Sequence, residues 1–290
     1  MKTLREILQQ AQSGGFAIGH FNVSDFTLLK AVFSAAHELR LPVVVGASEG
    51  ERAFFGTQQL AVLVKSLREE FDHPLFLNAD HTHSLASALE AARAGFDSVV
   101  FDRSALPFED NIRVTKYAVQ QLKSIYPSIL MEGEIGDIGT GSEIHKDEAM
   151  SARSLTSAAD AKEFVEQTGI DILAPAVGNA HGMVRSMVEG TTKKRLNIER
   201  IRDIKTSSGA FLTLHGGSGT KDADLRDAIS AGINMIHINT ELRVAWRHGL
   251  ENALAKDEDE VVPYRILPGA VEAAQRVVAS RLSLFNQPRA

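Results

Sequence analysis

The chain has 290 residues, 44% of them hydrophobic and 23% charged, with a formal net charge of −6 and no cysteine. This length can form one large domain or two ordinary ones with a substantial core. The acidic balance argues against a nucleic-acid-binding protein, and the absence of cysteine excludes disulfides, thiolate metal sites and cysteine nucleophiles. The N-terminus is predicted to be an amphipathic helix rather than a signal peptide, and no apolar run is long enough for a membrane span. We therefore expect a cytoplasmic protein.

Short apolar runs alternate with helical patterns along almost the whole chain. The runs occupy residues 16–21, 42–48, 75–81, 98–102, 129–134, 171–177, 210–215 and 234–239. Apolar residues between them recur at helical spacing, and three of the helices end at a glycine, Gly95, Gly169 or Gly232. Two more helices are predicted over about 241–255 and 269–284.

Eight buried strands separated by helices predict a parallel sheet, because parallel strands need crossover connections. A closed (β/α)8 barrel, the TIM barrel, with extra terminal helices is the simplest such α/β architecture, and it would form a single domain over residues 1–290. A doubly wound open sheet is the alternative, but no Gly-x-Gly-x-x-Gly follows the first strand. Long loops are predicted over 136–157 and 178–195, and the basic run 193–195 is interpreted as solvated.

Polar residues with useful chemistry collect at the ends of the predicted strands. In a barrel these ends meet at one face, where active sites are built. The residues concerned are Asp80, His81, Asp102, Glu132, Glu134, His181, His215, His237 and Asn239.

Three histidines at equivalent strand ends predict a metal site. His81, His181 and His215 follow three different strands, and three neutral imidazoles with an open fourth position are typical of catalytic zinc. The alternative is that each is a hydrogen-bonded structural histidine. His83 lies at the start of a helix and is left outside the set.

A glycine-rich segment, residues 215–220, ends the seventh strand and opens a helix. The N–H groups of such a segment can approach a phosphate closely, and barrels often bind phosphate with the loops after strands seven and eight. The alternative is that the glycines only make a tight turn. The phosphate candidates are Gly216, Gly217, Ser218, Asn239 and Thr240.

A phosphate beside a divalent metal predicts a phosphorylated sugar whose carbonyl the metal polarises as a Lewis acid. Asp80 is the candidate carboxylate for moving a proton to or from a neighbouring hydroxyl. The Schiff-base route to the same chemistry needs a lysine inside the barrel, and none of the eight runs contains one.

The residues resemble those of the class II, zinc-dependent ketose-bisphosphate aldolases, of the fructose- and tagatose-bisphosphate types. The matching motifs are Asp80-His81, Glu132-Gly-Glu134-Ile-Gly136, Gly178-Asn-Ala-His181-Gly182, Leu214-His215-Gly216-Gly217-Ser218 and Asn239-Thr240-Glu241. Their order and spacing agree over essentially the whole chain. The resemblance implies reversible cleavage of fructose 1,6-bisphosphate to dihydroxyacetone phosphate and glyceraldehyde 3-phosphate. The alternative is a tagatose- or other ketose-bisphosphate aldolase; a metal-dependent barrel hydrolase and a catalytically silent partner subunit are more remote.

The resemblance also implies residue roles. A catalytic zinc would be held by His81, His181 and His215, with Glu134 as a nearby alternate ligand and Asp102 as a second-metal or substrate-contact carboxylate. Na⁺ or K⁺ would be bound by backbone carbonyls near residue 182 and in the segment 216–218.

In the same way, Asp80 would be the acid/base at the C4 hydroxyl, and Glu143, on a mobile loop, would be a second catalytic residue. Arg276 or Arg281 would bind the distal phosphate, in a homodimer or homotetramer. The residues implied to hold dihydroxyacetone phosphate or to line the pocket are Asn22, Ser48, Gly182, Gly216, Gly217, Ser218, His237, Asn239 and Thr240.

His237 departs from the family pattern, which has asparagine at this position. A histidine can still donate one hydrogen bond, but it is larger than asparagine and is expected to titrate near neutrality.

Overall fold

The computed structural model describes residues 2–139, 141–145 and 154–287. The strands are β1 (Ile18–Asn22), β2 (Val43–Ala47), β3 (Leu75–Thr82), β4 (Ser98–Phe101), β5 (Leu130–Ile135), β6 (Ile144–His145), β7 (Ile172–Pro175), β8 (Met183–Val184), β9 (Phe211–Leu214) and β10 (Ile233–Ile238). Within these ranges, eight parallel strands close into a barrel in the order β1-β10-β9-β7-β5-β4-β3-β2. The predicted TIM barrel is therefore confirmed.

One helix precedes β1, and the others follow strands of the barrel or lie in the loops after them. The helices are α1 (Leu4–Gly14), α2 (Phe26–Leu39), α3 (Glu49–Phe55), α4 (Thr57–Phe71), α5 (Leu85–Ala94), α6 (Phe108–Ile125), α7 (Ala158–Thr168), α8 (Arg185–Val188), α9 (Ile198–Ser208), α10 (Asp222–Ala231), α11 (Thr240–Lys256) and α12 (Pro263–Phe285). None of the helices in the described ranges combines the length and the apolar character that crossing a membrane requires.

The helices differ from the predictions at several places, among them the short α8, which lies within the predicted loop 178–195. The short helix α3 was not predicted; Ser48 begins it, because its hydroxyl accepts a hydrogen bond from the Glu51 amide in a capping box. Helix α12 begins at Pro263 rather than at 269, and it continues through Pro268 although proline disfavours a helix interior.

Helix α1 closes the amino-terminal end of the barrel. Its buried residues Leu4, Ile7 and Leu8 pack in one cluster with inward-facing strand residues that include Phe76 and Met235. Each such side chain contributes roughly 1.5–3 kcal/mol when fully buried. Because this end is filled with apolar side chains, polar chemistry is confined to the carboxyl-terminal ends of the strands.

The two long loops meet above the carboxyl-terminal end of the barrel. β6, in the loop after β5, pairs in parallel with β8, in the loop after β7, through Ile144 with Met183 and His145 with Val184. The predicted loop 136–157 also includes residues 140 and 146–153, which lie outside the described ranges.

Candidate active site

Four side chains converge at the carboxyl-terminal end of the barrel. One ligand atom each of His81, Glu134, His181 and His215 lies within 4.8 Å of the others. They come from β3, β5 and the segments that follow β7 and β9, so the closed barrel brings together residues that are far apart in sequence. The three histidines that the sequence predicts as metal ligands are thus neighbours.

The atoms that face one another in this group suit a metal ion. Within the described residues, Nε2 of His181, Nδ1 of His215 and Oε2 of Glu134 are buried without a hydrogen-bond partner. His215 Nδ1 and Glu134 Oε2 lie 3.1 Å apart, although they are not aligned for a hydrogen bond. Unpaired buried donors and acceptors are unfavourable, and a divalent ion would satisfy them together.

Two carboxylates orient the imidazoles from outside the group. Nδ1–H of His81 donates to Asp102 at 2.9 Å, which leaves Nε2 to face the other members of the group. Nε2–H of His215 donates to Glu132 at 2.6 Å, which leaves Nδ1 on the inner side. Such outer partners fix the tautomer and ring orientation of metal-binding histidines. Asp102 is thus a hydrogen-bond partner of His81 and lies outside the group of four.

The backbone at His81 turns its side chain toward the centre. His81 has a φ of +37°, in the left-handed region that residues other than glycine seldom adopt. The pairing of β3 with β4 shifts register between Ala79 and Thr82, on either side of it. A register shift of this kind re-aims a side chain at a barrel rim, and local strain is typical of functional sites.

Asp80 lies beside the group and remains ionised. Asn22 Nδ2 donates to its Oδ2 at 2.9 Å, whereas Oδ1 has no hydrogen-bond partner within the described residues. Burial alone would raise the pKa of Asp80, but His81, His20 and His215 together hold it well below its usual range. A buried, ionised carboxylate with one unpaired oxygen can accept a proton from a substrate.

His237 forms the wall next to Asp80 and is a neutral imidazole. Its ring stacks on His20 at 3.5 Å between centroids and on His215 at 4.1 Å. Burial lowers the pKa of His237 well below its usual range, and His20 and His215 lower it further. The expectation that it titrates near neutrality is therefore wrong, because the surroundings disfavour the charged form.

The glycine-rich segment approaches the loop after β7 very closely. Gly216 has a φ of +61°, and a Cβ atom there would lie 2.2 Å from the carbonyl oxygen of Ala180. The hydroxyl of Ser218 accepts hydrogen bonds from the amides of Asn239 and Glu241, at 3.2 and 3.3 Å, and so joins the segment to the start of α11. The two loops predicted to bind phosphate are adjacent.

Comparisons with known proteins agree with this geometry. The sequence model of the family described as "Fructose-bisphosphate aldolase class-II" matches residues 2–288. The chain belongs to this family. It is 33% identical to the probable fructose-bisphosphate aldolase of Bacillus subtilis, covering 98% of this chain and 97% of that one. It is 32% identical to the fructose-bisphosphate aldolase of Geobacillus stearothermophilus, covering 98% and 96%.

Solved structures of aldolases share the fold. The YdjI aldolase from Escherichia coli K12 superposes with a TM-score of 0.82 at 30% identity, covering 98% of this chain and 97% of that one. Family membership confirms the prediction of an aldolase, an enzyme of the lyase class, that depends on a metal and acts on sugar bisphosphates.

One cleft of the aldolase contains most of the predicted substrate residues. It is lined by Asn22, Asp80, Ser142, His181, Gly182, Gly216, Ser218, His237, Asn239 and Thr240. Gly217 lies between two of these residues, and its amide donates to the carbonyl of His237 at 3.0 Å. Ser142 was not predicted, because nothing in the sequence fixes how the loop after β5 folds back.

Other predicted residues lie outside this cleft. Ser48 caps α3, as described above. The Glu143 side chain is 75% exposed and lies 4.0 Å from the ring of His145. The guanidinium of Arg281 pairs with Glu241 and Asp222. Arg276 and Arg281 line a separate cavity of about 830 Å³ formed largely by α11 and α12.

Sequence reasoning missed several residues that support the site. Glu132 stood in a matching motif without a role, although its spacing of two from Glu134 indicates the same face of β5. Glu51 accepts from Asn22 at 2.8 Å and pairs with Arg243, whose guanidinium also donates to the Ser142 carbonyl. These contacts link the loop after β5 to the Asn22 side chain that holds Asp80.

The basic run 193–195 was interpreted as solvated, and this is wrong for its middle residue. Lys194 is 3% exposed, whereas Lys193 and Arg195 are exposed. The backbone carbonyls near 182 and 216–218, which the resemblance assigns to Na⁺ or K⁺, surround the Lys194 ammonium group.

We expect the affinity of the site for a divalent metal to rise with pH. Burial would lower the pKa of His81, but Asp80 and Asp102 outweigh it and raise the pKa to about 9. A ligating imidazole must be neutral, so metal binding displaces at least one proton at neutral pH, and affinity gains about tenfold per pH unit up to that pKa. Competition with a chelator of known pH dependence measures this; an affinity that is flat from neutral pH upward would contradict it.

Proposed function

We propose that this aldolase uses zinc to cleave fructose 1,6-bisphosphate reversibly to dihydroxyacetone phosphate and glyceraldehyde 3-phosphate. The observation that carries the proposal is the group of buried, unpaired imidazole and carboxylate atoms beside the ionised Asp80. Family membership and the fructose-bisphosphate aldolase relatives support the substrate.

The proposed zinc ligands are His81, His181 and His215, with Glu134 as the alternate fourth. Imidazole nitrogens and a carboxylate oxygen are donors that zinc prefers. When bound, the ion would act as a Lewis acid on the C2 carbonyl of the ketose. In this proposal Asp102 keeps His81 in the correct tautomer rather than ligating an ion itself.

Asp80 is the proposed base for cleavage. It takes the proton of the C4 hydroxyl, the C4–O bond becomes a carbonyl, and the C3–C4 bond breaks. The electron pair of that bond passes to C3 and is delocalised toward C2. Glu143 is our candidate for returning a proton to C3, which requires its loop to move from the exposed position described above.

The phosphate on C1 is proposed to bind between the loops after β9 and β10. Gly216, Gly217 and Ser218 offer backbone at close approach, and the N-terminal end of α11, with Asn239 and Thr240, adds its partial positive charge. The neutral His237 would donate a hydrogen bond to the reacting sugar from its unpaired Nε2.

A comparison of three substrates tests the proposal. The zinc-loaded protein is assayed with fructose 1,6-bisphosphate, tagatose 1,6-bisphosphate and sedoheptulose 1,7-bisphosphate, with triose phosphate coupled to a dehydrogenase. We expect the highest kcat/KM for fructose 1,6-bisphosphate and loss of turnover after exhaustive chelation, restored by zinc.

Each other outcome points to a stated alternative. A higher kcat/KM for tagatose 1,6-bisphosphate, which differs from fructose only at C4, would replace the substrate. A zinc-loaded protein that cleaves none of the three would support a silent partner subunit. Turnover that survives chelation would overturn the metal role.

Further proposals complete the description of the enzyme. Residues 1–290 would act as a single domain, in the cytoplasm, where phosphorylated sugars are retained by their charge and enter glycolysis. A homodimer or homotetramer is proposed because large apolar side chains such as Phe54 (80% exposed) and Tyr264 (74% exposed) lie at the surface. Light scattering on the purified protein would detect a monomer if this is wrong.

A further inference from the structure

The Lys194 side chain enters the protein and ends in a ring of backbone carbonyls. Its Nζ lies 2.6 Å from the Ala180 oxygen, 2.5 Å from Gly182, 3.1 Å from Gly216 and 2.6 Å from Ser218. Rings of backbone carbonyls are the sites that replace the hydration shell of alkali cations. An ammonium group carries the same single charge.

The backbone fixes Lys194 in this position. Its amide donates to the Gly219 carbonyl at 2.9 Å, and its own carbonyl accepts from Lys221 at 3.2 Å. Lys194 and Thr220 form an isolated parallel bridge. The backbone contacts alone therefore hold the residue against the glycine-rich segment, independently of its side chain.

The four peptide groups that point their carbonyls at Lys194 are also bound at their N–H ends. These amides belong to the residues that follow each carbonyl, and they donate to three other parts of the site. The donor–acceptor pairs are His181 to Ile138 O, Met183 to Glu143 O and Gly217 to His237 O, each at 3.0 Å, and Gly219 to Glu241 Oε1, at 2.7 Å.

The ammonium group thus lies where several segments of the site meet. Ala180 and Gly182 flank the ligand His181, and Gly216 and Ser218 belong to the proposed phosphate segment. The opposite ends of the same peptides reach the loop after β5, β10 and α11. Four carbonyl dipoles that converge without a positive charge would repel one another, so this arrangement depends on a cation.

We propose that the Lys194 ammonium group is a built-in monovalent cation, occupying a carbonyl site that would otherwise take K⁺, Na⁺ or NH₄⁺. It acts as a positioning residue, because it fixes the peptides that carry His181 and the glycine-rich segment. The enzyme then needs no soluble alkali cation. The catalytic part of this inference rests on the proposed function, whereas the cation site itself does not.

Thermal unfolding of Lys194→Ala tests the cation site independently of activity. The variant removes the charge and leaves space for an ion. The midpoint Tm is measured in chlorides of K⁺, Na⁺, NH₄⁺ and tetramethylammonium at one ionic strength, the last being too large for the ring. We expect Lys194→Ala to lose several degrees in tetramethylammonium and to recover saturably in at least one small cation.

The matched control is Lys193→Ala, which removes an exposed lysine one position earlier. This variant and the wild type should have the same Tm in all four salts. If Lys194→Ala has one Tm regardless of the salt, or if K⁺ specifically raises the Tm of the wild type, the proposal is overturned. If the variant is insoluble, it is refolded from urea with K⁺ or with tetramethylammonium, and equal failure in both counts against the site.

An activity measurement then tests the positioning role. We expect kcat/KM of Lys194→Ala for fructose 1,6-bisphosphate to rise about tenfold with K⁺, while the wild type does not respond. Salt-dependent Tm without any aldol cleavage, even in the wild type, would refute the proposed function and leave the cation site intact. Salt-dependent Tm with activity that ignores K⁺ would refute the positioning role.

Discussion

Asp80→Asn is expected to lower kcat for aldol cleavage by about 10²–10⁴-fold while the protein keeps its metal. Asparagine has nearly the shape of aspartate and can still interact with the Asn22 amide, but it cannot accept the C4 hydroxyl proton. The unpaired Oδ1 of Asp80 and its lowered pKa are the basis of this role. Steady-state kinetics and elemental analysis of the same preparation measure both quantities.

Asp97→Asn is the matched control for this substitution. Asp97 precedes β4, at the opposite end of the barrel, and pairs with Arg68 at 2.6 Å. The same chemical change there should affect stability and leave kcat almost unaltered. A normal kcat in Asp80→Asn would remove Asp80 from catalysis, and loss of metal along with activity would make it a ligand instead of a proton carrier.

His181→Ala is expected to abolish measurable cleavage by removing the metal. Nε2 of His181 is buried, has no hydrogen-bond partner within the described residues and lies close to the other members of the candidate metal group. Loss of an outer partner of a metal ligand already lowers metal affinity roughly 10–100-fold, so loss of a ligand should cost more. Zinc per chain after dialysis and kcat in metal-free buffer are the measurements.

His83→Ala is the control. It removes a histidine two residues from His81 in the sequence that does not belong to the candidate metal group. His83 is exposed, and its ring nitrogen Nδ1 lies 3.2 Å from a backbone atom, the Asp102 carbonyl oxygen. This variant should retain zinc and turnover. Stoichiometric zinc and normal turnover in His181→Ala would contradict the three-histidine site.

The barrel could be predicted because strands buried on both faces are continuous apolar runs that the intervening helices separate clearly. The closeness of the candidate ligands could be predicted because the carboxyl ends of parallel strands necessarily meet at one face. The short helix α3 could not, since seven residues give too little periodicity to recognise.

The charge states and burial of single residues depend on tertiary neighbours. Lys194 looked solvated because its sequence neighbours are charged, and only its pairing with the segment 219–221 explains its burial. The lowered pKa of His237 follows from stacking between His20 and His215, which lie on different strands. Likewise, no local pattern indicates that Glu132 rather than Glu134 would orient His215.

The row of stacked rings also links the packing of four adjacent strands, so that a larger side chain on one strand would displace rings on the others. His215 contacts His237, His237 contacts His20, and His20 in turn fills the space above Gly46 on β2, where a Cβ atom would lie 2.1 Å from the His20 ring. A single methyl group at Gly46 would therefore displace His20, and through the stacked ring of His237 it would displace His215 of the candidate metal group. The position of His215 thus depends on a residue that has no side chain, Gly46, two strands away from His237.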